Sequence, residues 1–117
     1  MKSFVWPVFE AYNDWLIEEW QDYSPRFIAQ CVTPMWDVEL CVAEIHRAVK
    51  RGHKALAWHG APHVLGLKHF NDPYWYPVFQ ACSDLDVPLC LHSTALPALP
   101  AWESLQARRE EPPCRFP

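Results

Sequence analysis

The chain has 117 residues, 50% of them hydrophobic, and a formal net charge of −4 from 10 basic and 14 acidic side chains. That is one domain's worth of chain with material for a single modest core, which excludes a multidomain machine. The acidic balance also argues against nucleic acid as a partner, because that binding draws on clustered Lys and Arg.

No membrane partner is expected either. The longest charge-free run, residues 87–102, is interrupted by Pro88, Pro97 and Pro100, whereas a spanning helix needs about 20 apolar residues in succession. Residues 1–15 contain neither a long apolar core nor a small-residue cleavage site, so they do not read as a secretory signal and a cytoplasmic location is expected. Five cysteines (Cys31, Cys41, Cys82, Cys90, Cys114) are odd in number and form no C-x-x-C pair. This argues against a disulfide framework and a structural zinc site, and predicts free, mostly buried thiols.

In chain order, Tyr12, Trp15, Leu16, Trp20 and Tyr23 recur at helical spacing. They predict a helix started by Asn13 or Asp14 and stopped by Pro25, with Glu18, Glu19 and Asp22 facing water. Residues 27–33 read as a buried strand ending at Pro34. Asp37 then offers an N-cap to a helix whose apolar stripe is Val38, Cys41, Val42, Ile45, Ala48 and Val49. Lys50 and Arg51 suit its negative end, and Gly52 supplies the left-handed position beyond it. Residues 53–59 form a second buried strand. After a loop rich in Gly, Pro, His and Asn, a third helix begins near Pro73 or Pro77 and reaches about Leu85. Residues 87–92 are the third strand.

Strands separated by amphipathic helices pair in parallel with right-handed crossovers, so the chain is an α/β segment with three parallel strands and intervening helices. No Gly-rich nucleotide-binding motif follows any strand. Parity distinguishes an open sheet from an arc of a (β/α)8 barrel. Ala55, Ala57 and His59 share one face of the second strand, with the larger Leu56 and Trp58 opposite. In the third strand Cys90 and His92 oppose Leu89 and Leu91. Small inward faces and large outward ones suit a barrel, with both terminal histidines at its C-terminal rim. A complete barrel needs about 200 to 250 residues, so 117 residues amount to part of one.

Six histidines are the polar set with catalytic potential. His53 begins the second strand and His59 ends it, about 20 Å away at about 3.3 Å per residue. Active sites of parallel α/β folds gather at C-terminal strand ends, so His53 is expected at the surface, as is His46 on its helix. His59, His63, His69 and His92 all fall at or beyond those ends. The His59/His63 spacing would suit zinc on a helix, but Gly60 and Pro62 oppose a helix there. His92, on a rigid strand end, is the best single metal-ligand candidate; a buried histidine bonded to a carbonyl is the alternative. Asp14, Asp37 and Asp72 are explained as caps.

Three blocks in order, PMWDVELCVAEIHRAVKRGHKAL (residues 34–56), NDPYWYPVFQAC (71–82) and DVPLCLHS (86–93), resemble the amidohydrolase-related family. This is the branch that includes aminocarboxymuconate-semialdehyde decarboxylase and related aromatic-acid decarboxylases. The likeness spans about residues 12–93. It implies a partial TIM-barrel segment containing strands three to five, with His92 at the metal-ligand position that ends the fifth strand and His59 ending the fourth in a substrate-facing role. It further implies a divalent metal, zinc or manganese, in the full-length family, and a small carboxylated cyclic or aromatic substrate for a hydrolase or decarboxylase.

Residues 1–14 contain no H-x-H, and nothing corresponds to the family's sixth-strand histidine or eighth-strand aspartate. Residues 1–94 are therefore expected to be a fragment of such a barrel, through truncation, frameshift or an altered gene end. Residues 95–117, rich in proline, are expected to be a poorly ordered tail. The fragment is expected to be inactive alone and not to bind the metal tightly. The alternative is a non-catalytic segment acting through self-association or association with other subunits.

Overall fold

The computed structural model describes residues 2–92. The expected tail, residues 95–117, lies outside them. The elements are α1 (Lys2–Trp15), continued by a π-wound stretch Leu16–Gln21, then β1 (Gln30–Cys31), α2 (Val38–Arg51), β2 (Ala55–His59), α3 (Tyr76–Asp84) and β3 (Leu89–His92). Short 3-10 turns at Pro62–Leu65 and Pro73–Trp75 lie between β2 and α3. The strands form one parallel sheet in the order β1-β2-β3, so each helix between strands is a crossover to the neighbouring strand.

Helix α2 forms as its sequence dictates. Asp37 accepts the Leu40 amide at 3.1 Å, and Gly52 ends the helix at φ +121°, a conformation that a side chain rarely adopts. Its Cys41, Ile45 and Ala48 are fully buried against Cys31, Leu56 and Trp58 of the sheet, and Trp75, Val78, Ala81 and Cys82 close the same core from the α3 side. Trp58 and Trp75 meet edge to face at 5.2 Å. The main core cluster thus lies on the face of the sheet carrying the large residues, as strand parity predicts.

The N-terminal helix departs from expectation. It begins at Lys2, tolerating Pro7 within it, so Asn13 and Asp14 are not caps but interior residues. Its buried face is Asn13, Ile17 and Gln21, while the aromatic set Tyr12, Trp15, Trp20 and Tyr23 points outward. Each buried amide grips the chain of the first strand. Gln21 donates to the Phe27 carbonyl and accepts the Ala29 amide, both at 2.8 Å. Asn13 donates to the Val32 carbonyl at 2.8 Å and accepts the Val32 amide at 2.9 Å. These side chains satisfy backbone flanking a strand that is ladder-paired over only Gln30 and Cys31, shorter than the expected 27–33.

Asn13 also donates to the fully buried Glu44 at 2.8 Å. Arg47 binds both Glu44 oxygens at 2.8 Å and reaches Asp14 at 2.8 Å, which fastens α1 to α2. The Glu44 hydrogen bond is the main reason that Arg47 holds its proton more firmly than usual. His53 is a further correction. It is buried rather than superficial, with Nε2 at 2.8 Å from the Asn13 carbonyl.

Two measurements check this packing. Asn13→Ala leaves the Val32 amide and carbonyl without their side-chain partner and removes one hydrogen bond from Glu44, which keeps Arg47, and it is expected to cost about 3 kcal/mol in urea unfolding, given about 1 to 3 kcal/mol for each buried group left unsatisfied. Asn13→Asp is expected to be at least as damaging, since it sets a carboxylate against Glu44. The buried thiols give a pH signature. Burial foremost pushes Cys31 and Cys41 from the usual 9.0 up to about 12. Below pH 9 both states keep these protons, whereas between 9 and about 12 only the unfolded thiols ionise, so their contribution to stability is lost as pH rises through that window. The urea midpoint should fall from pH 8 to pH 10, and fall less in the Cys31→Ala, Cys41→Ala double variant.

Candidate functional site

The C-terminal ends of the strands define one edge of the sheet. His59 ends β2 and His92 ends β3, and the two are direct partners in the parallel ladder. Neighbouring strands lie about 4.8 Å apart, and residues in register share a face, so the two histidines stand side by side. They continue the row of Ala57 and Cys90, on the face opposite α2, α3 and the core.

Each histidine is held differently. His59 is half-buried, and its Nδ1 accepts the Ala61 amide at 3.0 Å, which fixes the ring at the strand end and leaves the proton of its neutral form on Nε2. Gly60 carries the chain across the end of β3, where an added Cβ would lie 3.8 Å from the His92 carbonyl. His92 itself is exposed. His63 and His69, both in the connection from β2 to α3, stack on each other with centroids 4.3 Å apart and planes 11° from parallel. The remaining histidines belong elsewhere: His46 lies exposed on α2, and His53 is buried beside Asn13.

The carboxylates near the strand ends have structural duties. Asp37 caps α2, Asp72 accepts the Tyr74 amide at 2.8 Å, and Asp14 is paired with Arg47 and Arg51. Among the described residues no group of three or more His, Cys, Asp or Glu side chains converges in a way that could hold a metal ion. A catalytic zinc normally takes three protein ligands, so the rim histidines do not complete an ion site.

Beside this edge lies a feature that the sequence did not single out. A cavity of about 480 Å³ is lined by Phe9, Val32, Thr33, Met35, Trp36, Ala57, Leu65 and Leu67. It brings together the turn after β1, the loop after β2 and Ala57, which is two residues before His59. Its walls are predominantly apolar and aromatic, the lining expected where a flat ring is held beside a few polar groups. The available signal was positional: Thr33, Met35 and Trp36 follow one strand, and Leu65 and Leu67 follow the next. No helix among the described residues is long and apolar enough to cross a membrane.

Comparison with known proteins bears on this arrangement. Residues 3–113 match a protein-family model described as amidohydrolase. The fold is similar to the crystal structure of 5-carboxyvanillate decarboxylase from Novosphingobium aromaticivorans, determined with bound manganese and 3-methoxy-4-hydroxy-5-nitrobenzoic acid. The TM-score is 0.72 at 24% sequence identity, over 92% of this chain and 30% of that one. This chain therefore spans about a third of that enzyme's length, with three parallel strands of the same barrel type. No curated protein matches.

Proposed function

The chain belongs to the amidohydrolase family, and from that premise we propose that it is a barrel segment of a metal-dependent hydrolase or decarboxylase for carboxylated cyclic or aromatic substrates, inactive by itself. The observation that carries this reading is the pairing of His59 with His92 at the C-terminal edge of a parallel sheet, on the face away from the core. His92 takes the metal-ligand position, for zinc or manganese, and His59 faces the substrate. The adjacent cavity, with Trp36 and Phe9 in its wall, suits an aromatic ring. The manganese and the nitro-substituted benzoic acid in the structurally similar enzyme support the same class of ligand. Two imidazoles do not make a catalytic ion site, so no catalytic step is assigned to this chain alone.

One observation favours a second, non-catalytic reading. Leu91 of β3 is 56% exposed on the face where Leu56 and Trp58 are covered, and β1 and β3 are edge strands among the described residues. Unpaired strand edges and uncovered apolar residues favour association with a second copy or with other subunits.

Calorimetric titration of the purified chain with Zn2+ and Mn2+, together with a carbon dioxide release assay on 5-carboxyvanillate, tests the first reading. The expected result is no tight one-to-one isotherm and no turnover. Stoichiometric tight binding, or turnover lost in His92→Ala, would show that the segment is self-sufficient. Sedimentation velocity separates the second reading, which requires a concentration-dependent increase in mass.

A further inference from the structure

The connection from β2 to α3 supplies one wall of the apolar cavity beside the rim, through Leu65 and Leu67. Its backbone folds on itself. Residues Pro62–Leu65 make a 3-10 turn in which Val64 donates to the Ala61 carbonyl and Gly66 to that of His63, both at 3.1 Å, and Leu67 closes back to Pro62 at 3.3 Å. The base of this loop is anchored. Pro62 is fully buried, the Lys68 carbonyl accepts the Trp75 indole N–H at 3.2 Å, and the His69 carbonyl accepts the Asp72 amide at 2.9 Å.

The tip of the loop is held differently. Residues 63–66 are exposed, Leu65 to 59%, so apolar burial does little to fix a side chain that lines the cavity. A Cβ added at Gly66, where φ is +77°, would meet nothing within 4 Å, which leaves the tip room to move. The backbone bonds of residues 61–67 shape the turn and leave its tilt over the cavity to side chains. One side-chain contact joins tip to base: His63 stacks on His69 with centroids 4.3 Å apart and planes 11° from parallel. Two flat rings in that arrangement restrain both separation and tilt.

We propose that the stacked rings of His63 and His69 clasp residues 62–69 as a lid, holding Leu65 and Leu67 in place over the apolar cavity. The other walls of that cavity include Phe9, Trp36 and Ala57, which belong to α1, the turn after β1, and β2. Those elements are fixed by the strand ladder and by the bonds of Asn13 to Val32, so the loop is the wall with room to move. Opening the stack swings Leu65 outward and admits a flat ring; closing it covers the ring and excludes water. His63 and His69 are thus positioning residues that act through the two leucines. The gating role rests on the reading of this cavity as the seat of an aromatic ligand, whereas the clasp itself does not.

The test uses the full 15N-labelled chain. In the wild type the amides of Val64, Leu65, Gly66 and Leu67 are expected at order parameters of about 0.85, and in His63→Ala below about 0.6. His63 is exposed, so its replacement leaves the core intact, which an unchanged indole signal of Trp58 verifies. His63→Phe keeps a flat ring and is expected to restore the wild-type order. The proposal fails if the wild-type loop is already loose or if His63→Ala leaves it rigid. It fails equally if His63→Phe is as loose as the alanine variant, because a hydrogen bond of His63 is then the restraint. In a second arm, 3-methoxy-4-hydroxy-5-nitrobenzoic acid is titrated into the three chains. Its Kd is expected to rise about three- to tenfold in His63→Ala, the worth of one ring pair, and to recover in His63→Phe. Equal affinity in all three overturns the gating role. No binding to the wild type contradicts the aromatic-ligand reading of the cavity and the gating role with it, and the relaxation data alone then decide the clasp.

Discussion

The fold turns on one side-chain amide. Asn13, fully buried in a helix interior, exchanges two hydrogen bonds with the Val32 backbone and gives a third to the carboxylate of Glu44. Each buried group left without a partner costs about 1 to 3 kcal/mol, so these contacts are constraints before they are stabilising. Two turns further on, Gln21 performs the same backbone exchange at the other end of the first strand. Together they hold an extended segment that is only briefly paired with β2. Arg47 then neutralises Glu44 through a bidentate contact and ties in Asp14, so helix, strand and crossover helix are fixed by one connected set of polar groups.

What this frame positions is the C-terminal edge of the sheet. With β1 held in register against β2, and β2 against β3, the strand ends align and His59 stands beside His92. The main hydrophobic cluster lies on the opposite face, where Leu56, Trp58 and Trp75 are buried among the residues of α2 and α3. The asymmetry is that of a barrel wall: a greasy outer layer under helices, and an inner surface of small and polar residues with His59 and His92 at its rim. The family match and the likeness to a decarboxylase of which this chain spans 30% fit that arrangement.

Much of this was legible in the sequence, and the rest was hidden for physical reasons. Helix α2, its Asp37 cap and its Gly52 stop are local signals, and local signals were sufficient. The parallel order followed from the alternation of strand and helix, and the placement of His59 and His92 from parity. Asn13 misled because asparagine is read as a cap when only its neighbours in sequence are visible, whereas its partners Val32 and Glu44 lie 19 and 31 residues away. His53 was misplaced for the same reason: its position at the start of a strand gave no sign of the Asn13 carbonyl 40 residues earlier. The aromatic spacing of Tyr12, Trp15 and Trp20 correctly indicated a helix but not which face is buried, because here the polar amides face inward. The apolar cavity was invisible because its walls come from separate loops.

The proposal that the inner rim is the metal-facing side rests on His92 and its neighbour, and it is tested most directly by paramagnetic broadening. In the 15N-labelled chain, substoichiometric Mn2+ should broaden the imidazole signals of His92 and His59 first and together, while His46 on the outer helix and His53 in the core keep their linewidths. Broadening of His46 or His53 to the same degree, or none at His92, would contradict the assignment.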